Sequence, residues 1–593
     1  MLFPKLKNIP TSRDIIDVFK GYNHNLRIAE GEFYEMTNLS SDDFPVLTTR
    51  CRRGVYFSNS DYGYPQGMVS KDRLCYIDGR TFVINGNRYN MELSIDDKPK
   101  TLISMGAYVI ILPDMKYVNV ASHEEGDLGL EYGDIETTVS LNIEYDAKLY
   151  LCRADGTVYR KVIESLSEPS APEDGTLWVN GDSVLEYSIE AKQWLPVKTY
   201  VKFLSWHFNH DFERGERVYL SGLESYGDLG GIREIHSSGE HYIIFDGGVI
   251  KHFTTNENYV SISSKKITIK RLIPKMDFMV SSGNRLWGCR YGKDIYGNQV
   301  NEIYASKLGD FKKWYCYEGI STSSFVAGVG SDGPFTGAIE YKGNPVFFKE
   351  NCMHFVQGYY NGNYRVKTVN CRGVQSGCAN SLVVLNEKMY YKSKSGVCVN
   401  NGTKAVDIST ALGDVFYKNA AAGVLRNKYY ISMCDSDEAW HMFAFDIYNG
   451  MWYREDDTHA TCFCTHDGDL YYIDYADNTI KTVKGTVGAL ESTPLKWEAV
   501  SGILGTSSPD KKYISRLDVR MMLDVGSTVT FLAEYDSSGS WDHLFTMTGR
   551  PELRSFTVPV RPRRCDHLRL KLVGVGESKI FSICKTYENG SGY

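Results

Sequence analysis

Apolar and polar positions along this chain follow the two-residue period of strands, and segments with a helical period are nearly absent. Short aromatic and aliphatic runs alternate with Gly, Asp and Asn turns. One phrase recurs, in which a basic or turn residue leads into such a run. It reads Arg285-Leu286-Trp287-Gly288, Pro345-Val346-Phe347-Phe348, Lys388-Met389-Tyr390-Tyr391, Lys428-Tyr429-Tyr430-Ile431 and Asp469-Leu470-Tyr471-Tyr472. The markers Leu286, Val346, Met389, Tyr429 and Leu470 follow one another at steps of 60, 43, 40 and 41 residues. A step of about 40–50 residues built only from strands predicts the blades of a β-propeller.

The pattern divides the chain into five parts. Residues 1–50 form an irregular N-terminal arm suited to long-range contacts, with one or two helical turns predicted over Asp14–Phe19. Residues 51–120 read as a first four-stranded blade. Its hairpin turns at Asp78-Gly79, and its buried strand Tyr108–Leu112 stops at Pro113-Asp114. Residues 121–255 break the repeat with acidic Glu124–Asp127, a loop-rich stretch Ser165–Gly175 and short strands near Val218, Ile232 and Tyr242. They are expected to form a small inserted β-barrel domain. Residues 256–485 carry about five more blades, giving a ring of about six whose closure would remove exposed sheet edges. The longer first step is explained by an extended hairpin from Tyr291 to Asn301. Residues 486–593 alternate strictly, as in Tyr513–Arg520, Ser527–Leu532 and Leu568–Leu572, and predict a C-terminal β-sandwich. A short helix is predicted within Asp414–Val424. The fold class is therefore all-β.

Composition narrows the function. Of 593 residues 42 are Tyr, 26 Phe and 9 Trp, an enrichment that favours strands. The formal net charge is −7 with no basic stripe, which argues against a tight grip on nucleic-acid phosphates. The 14 cysteines show no Cys-x-x-Cys spacing, Met1–Lys7 lacks a signal-peptide core, and no apolar run approaches the ~20 residues of a membrane span. These features predict cytosolic synthesis with reduced, mostly buried thiols.

Three groups of residues could carry chemistry. Cys462, Cys464 and His466 share one strand face, but on an extended strand the outer two stand ~13 Å apart and cannot meet one zinc ion without a bend. His207 and His210, with Asp211, lack a further ligand at metal spacing. Asp467-Gly468-Asp469 and Asp474 with Asp477 and Asn478 resemble pieces of a calcium loop, but the closing Glu is missing, and Asp, Asn and Gly are the ordinary residues of tight turns. Paired carboxylates for glycoside hydrolysis are not singled out, and no nucleophile elbow, phosphate loop or dinucleotide fingerprint occurs. The chain therefore reads as a non-enzyme without cofactor, metal or catalytic residues. The Tyr359–Tyr364 stretch could instead stack on sugars.

Several phrases taken together resemble a tailed-phage family. They are Gly31-Glu32-Phe33 with Asn38-Leu39, Pro45-Val46-Leu47 with Arg50, Asn284–Cys289, Gly373–Gly377, Tyr390–Ser393, Asn449–Tyr453 and Arg564–His567. Their order is similar to that of packaged-DNA stabilisation proteins, related to the tail nozzle or tail tubular protein B of short-tailed phages. The segment 121–255 matches least. The resemblance implies a homo-oligomeric ring, six copies being expected, that meets the portal or adaptor and other tail proteins in the virion tail. Such a ring is assembled in the host cytoplasm, continues the DNA channel, retains packaged DNA and conducts it at ejection. An acidic lumen would let DNA pass without sticking. The alternative is a tail-tip or baseplate module that binds the host cell surface.

Overall fold

The computed structural model describes residues 11–57, 64–95, 99–131, 147–206, 208–254, 257–262, 267–294, 297–317, 319–358, 363–505, 511–549 and 551–589. It is all-β. Among these residues three 3₁₀ turns and no α-helix occur, so no helix is long and apolar enough to cross a membrane.

The repeated phrase is the second strand of a four-stranded antiparallel unit. Arg285–Lys293, Asn344–Phe348, Lys388–Ser393, Lys428–Cys434 and Asp469–Asp474 each follow a first strand across a two-residue turn, with closing pairs Ser282↔Arg285, Tyr341↔Asn344, Leu385↔Lys388, Leu425↔Lys428 and His466↔Asp469. Asn284, Lys342, Asn386, Arg426 and Asp467 take positive φ in these turns. That backbone twist matches the twist of the flanking strands, which is why small polar residues and Gly punctuate the repeat. Leu286, Val346, Phe347, Met389, Tyr429 and Leu470 are fully buried because a middle strand is covered on both faces.

Seven antiparallel units of this kind follow one another, the first five as separate four-stranded sheets. The first comprises Pro65–Ser70, Leu74–Asp78, Thr81–Ile84 and Asn87–Asn90. The second comprises Thr101–Met105, Tyr108–Leu112, Lys116–Asn119 and Glu125–Asp127. The third, fourth and fifth run over Phe278–Gly328, Gly337–Asn370 and Val383–Asp407; the sixth, over Lys418–Asp456, is one end of a ten-stranded sheet that continues through Gly21–Tyr22 and Glu32–Thr37 into the C-terminal strands. The seventh joins Ala460–His466, Asp469–Asp474 and Thr479–Thr482 to Gly54–Phe57, with Ala489–Leu490 as a fifth strand beyond it. The stretch expected as one sheet over 51–120 thus enters three units. Tyr108–Leu112 pairs with Thr101–Met105 and Lys116–Asn119 rather than with the Asp78-Gly79 hairpin, and Gly54–Phe57 leaves for the far end of the chain.

First strands touch in succession. Ala460–His466 meets Pro65–Ser70, which meets Thr101–Met105, which meets Phe278–Ser282, which meets Gly337–Tyr341. The turn Ala379–Ser381 bridges to Lys418–Leu425, which returns to Ala460–His466. Apolar clusters fill the joints: Cys75, Ile77 and Phe82 against Val109 and Ile111; Ile110 and Tyr117 against Met279 and Leu286; Trp287 and Ile303 against Phe347 and Val356; Met68 and Tyr76 against Tyr471 and Ile473.

Between the second and third units lies a segment with its own core, including Leu149, Phe203, Val218, Ile243, Phe245 and Ile269. Eight strands, from Leu130–Glu131 to Thr268–Ile273 in the chain, make one continuous sheet, and a four-stranded side sheet spans Val162–Pro196. The segment begins later and ends later than the expected 121–255, because Glu125–Asp127 completes the second unit and Tyr259–Ile262 and Thr268–Ile273 pair within the insertion.

The C-terminal residues form two sheets around Trp497, Leu517, Val519, Val529, Phe531 and Leu570. One contains Lys512–Leu523, Arg554–Val558 and Ser578–Asn589. The other contains Lys496–Ser501, Leu568–Val575, Thr528–Tyr535 and Asp542–Thr548. The N-terminal arm completes both: Thr11–Ile16 and Leu47–Thr49 pair with Ser578–Asn589, and Glu32–Thr37 with Lys496–Ser501. Thr11–Ile16 is therefore a strand where a helical turn was expected, held by a six-pair ladder to the chain's other end. The helix expected in Asp414–Val424 is replaced by a 3₁₀ turn at Thr410–Leu412 and the strand Lys418–Leu425. Ala420, Ala421 and Ala422 are buried there against the sixth unit's neighbours, and burial outweighs the helix propensity of alanine.

Candidate functional site

The groups singled out in the sequence have structural partners. Cys462 and Cys464 pack in the apolar joint between the seventh and first units. Burial pushes their thiols up to about 11 and about 12, so neither is a ready thiolate. His466 shares a hydrogen bond with Ser70 Oγ across the same joint (2.9 Å). Among the described residues no three His, Cys, Asp or Glu side chains gather as a metal set. His207 and most of Tyr359–Tyr364 lie outside the described residues. His210 Nδ1 accepts from the Phe212 amide (3.1 Å), which leaves Nε2 to donate to the Tyr242 carbonyl (3.2 Å). Desolvation lowers its pKa, and Asp211 pairs with Arg271 (2.8 Å). The calcium-like pieces are turn chemistry. Buried Asp469 accepts from the amides of Lys484 and Thr486 and from Thr486 Oγ1, while Asp474 and Asp477 both hold Lys481.

A different cluster stands where the arm, the sixth and seventh units and the C-terminal sheets converge. Arg53, 1% exposed, donates from Nη2 to Glu455 (2.6 Å) and Asp456 (3.0 Å), and its guanidinium lies 5.4 Å from the ring centre of Tyr472. Arg50 reaches Asp456 (3.3 Å) and Glu491 (3.5 Å) and donates to Asn38 Oδ1 (2.6 Å). Lys428 pairs with Asp42, and Asp446 accepts from Ser41 (2.6 Å). Burial opposes ionisation of both acids, but two guanidiniums hold the Asp456 carboxyl well below its ordinary value. Glu455 faces Arg53 alone at close range and is raised by burial. Beside the cluster opens a cavity of about 480 Å³, bordered by Asp43, Arg50, Cys51, Lys484 and Lys579. Chemically this is a lock: it ties residues 50–53, which lead into Gly54–Phe57, to the end of the sixth unit and to the seventh. Nothing in the local sequence around Arg53 marks it, since its partners lie some 400 positions away.

A second buried group joins the third and fourth units. His354 is fully buried. It shares hydrogen bonds with Ser331 Oγ (2.8 Å) and Thr368 Oγ1 (3.0 Å). Lys349 Nζ donates to Asn301 Oδ1 (2.9 Å) and the Ser331 carbonyl (2.7 Å). The serine–histidine contact has a hydrolase-like distance, but the ring's partners among the described residues are two hydroxyls and Cys352 Sγ, not a carboxylate, and the ring is buried. Desolvation, reinforced by Lys349, pushes His354 down to about 4. An unfolded histidine titrates near 6.5, so the unfolded chain binds the extra proton first. The contribution of neutral His354 is complete above pH ~6.5 and is lost as pH falls toward 4. Urea midpoints measured from pH 7 to 4.5 are expected to fall, and His354→Gln is expected to flatten that slope. An unchanged slope in the variant contradicts the assignment.

No family model and no curated protein matches this chain. Among solved structures it is similar to BamB from Moraxella catarrhalis, at 10% identity over 70% of this chain and 92% of that one, with a TM-score of 0.30. It is similar to PorZ of the type-IX secretion system of Porphyromonas gingivalis at 10% identity, 83% and 70% coverage and a TM-score of 0.24. It is also similar to an exo-beta-1,3-galactanase from Phanerochaete chrysosporium at 8% identity, 52% and 94% coverage and a TM-score of 0.19. Superpositions this loose transfer no role to the chain.

Proposed function

We infer that the seven units close into a propeller and that the chain is a non-catalytic structural subunit. The observation that carries this is the way the two ends of the chain are stitched together. Gly54–Phe57 is inserted into the last unit between Thr479–Thr482 and Ala489–Leu490, Arg53 is locked beside it, and the arm before it completes the C-terminal sheets. Such closure removes free edges and spreads mechanical load over hydrogen-bonded ladders. The ring then has seven blades rather than about six, the additional blade coming from the two sheets between Pro65 and Asp127.

The phage-tail resemblance gives this scaffold its role. The chain is a virion tail component, assembled in the host cytoplasm as a ring of copies, six being the family's number, below the portal or its adaptor. The ring continues the DNA channel, retains the packaged genome and conducts it at ejection. A net charge of −7 suits a wall past which DNA must slide. Native mass spectrometry of the purified protein, alone and mixed with its adaptor ring, tests the reading. Closed oligomers on the adaptor are expected; a monomer that never joins it overturns the proposal.

A further inference from the structure

A cleft of about 440 Å³ lies between the insertion and the third unit. The insertion supplies Arg214, Arg217 and Glu234; the loop after strand Gln299–Ala305 supplies Tyr315 and Tyr317. Its volume is that of a small-ligand site rather than a crevice between side chains.

The charges of this wall are unevenly committed. In the run Glu213-Arg214-Gly215-Glu216-Arg217 both glutamates are engaged: Glu213 by Lys307 and Lys313, Glu216 by Arg271 (2.6 Å). These pairs dock the insertion on the third unit and hold the run in place. Both arginines are left over. Among the described residues neither guanidinium has a carboxylate within ion-pair distance, although Glu234 stands opposite Arg217 in the strand register. Arg217 lies over the Tyr315 ring at 5.0 Å, and the Tyr315 and Tyr317 rings meet edge to face at 6.5 Å. Tyr317 remains 48% exposed and Arg214 is exposed. Gly215, at φ +87°, brings the strand against this loop: a Cβ there would stand 3.1 Å from the Tyr315 carbonyl oxygen.

We propose that this cleft binds a carboxylated saccharide. Two guanidiniums that have no carboxylate partner among the described residues match one carboxylate. A solvent-facing tyrosine offers a flat apolar surface to the C–H face of a sugar ring. Glu234, which would repel a row of phosphates, accepts hydroxyl hydrogens instead. Hydroxyls beside a single carboxylate can use that acceptor, whereas a row of phosphates offers it no donor and is recognised by a run of cations. The site goes beyond the structural role proposed above and does not depend on it.

The test is calorimetric titration of the full-length protein with a panel of oligosaccharides carrying galacturonate, glucuronate or sialic acid. Maltotriose serves as a neutral control and a 12-nucleotide single strand as the phosphodiester control. At least one acidic glycan is expected to bind saturably, and at least tenfold more tightly than maltotriose. Arg217→Gln and Tyr317→Ala should each weaken it tenfold or more while leaving the urea midpoint unchanged. Binding of no acidic glycan, equal binding of the neutral sugar, insensitivity to both substitutions, or tighter binding of the oligonucleotide would each overturn the proposal.

Discussion

A chain lacking residues 1–57 is expected to fail to fold, and adding those residues back as a separate peptide is expected to restore it. The segment buries Phe19, Tyr22, Phe33, Met36, Leu39 and Leu47. At about 1.5–3 kcal/mol per large apolar side chain, their loss removes on the order of 10 kcal/mol, as much as the whole stability of an ordinary domain. It also uncovers the edges of Thr479–Thr482, Lys496–Ser501 and Ser578–Asn589, which are templates for aggregation. Solubility, circular dichroism and size-exclusion chromatography of the truncated chain, with and without the peptide, read the outcome. A truncated chain that melts like the full-length protein would show that the stitching is ornamental.

Arg53→Met is expected to lower stability by about 3–5 kcal/mol, because it strands a buried carboxylate. Glu455 is the group left alone, since Asp456 keeps Arg50. The second substitution in Arg53→Met/Glu455→Met is expected to recover most of the loss, replacing an orphaned charge with apolar packing. The sign with pH follows from the two acids. Asp456, depressed below its ordinary value, contributes stability at neutral pH that is lost as pH falls through its folded value. Glu455, raised by burial, acts in the opposite sense: its ionised form costs stability above its ordinary range, and protonation relieves that cost. The Arg53→Met deficit in urea midpoint should therefore shrink between pH 7 and 4.5. Equal deficits in the single and double variants would show that Arg53 acts through packing alone.

The repeated phrase was legible because it is local. A two-residue turn with a small polar or Gly residue, followed by a strand buried on both faces, writes itself into adjacent positions, as at Asp467–Tyr472 and Lys342–Phe348. The extended hairpin is present too, with Tyr291 paired to Asn301. The long first step also holds the loop from Ser306 to Ser324, where Arg285 donates to the carbonyls of Ser306 and Ser323. What sequence pattern could not reveal is pairing between distant segments. Residues 51–57 look like the start of the sheet that follows them, yet they close the sheet ending at Thr482. Asp14–Ile16 carries no strand signal by itself; its partner near Cys584 makes it one. The same holds for the charged lock, where the acids belong to one strand end and the arginines to a linker. The tyrosine-flanked arginines of the cleft are visible as a charged run, but only the pairing of Glu213 and Glu216 with distant lysines and Arg271 singles them out.

The proposed subunit is a closed ring of seven blades, the last completed from the N-terminal side, that assembles with further copies around a channel. Single-particle electron microscopy of the purified assembly tests it most directly. Seven blades in each subunit are expected, with Gly54–Phe57 between Thr479–Thr482 and Ala489–Leu490, and subunits arranged around an open axis. A gap between the blades of Ala460–His466 and Pro65–Ser70, or isolated subunits with no common axis, would contradict it.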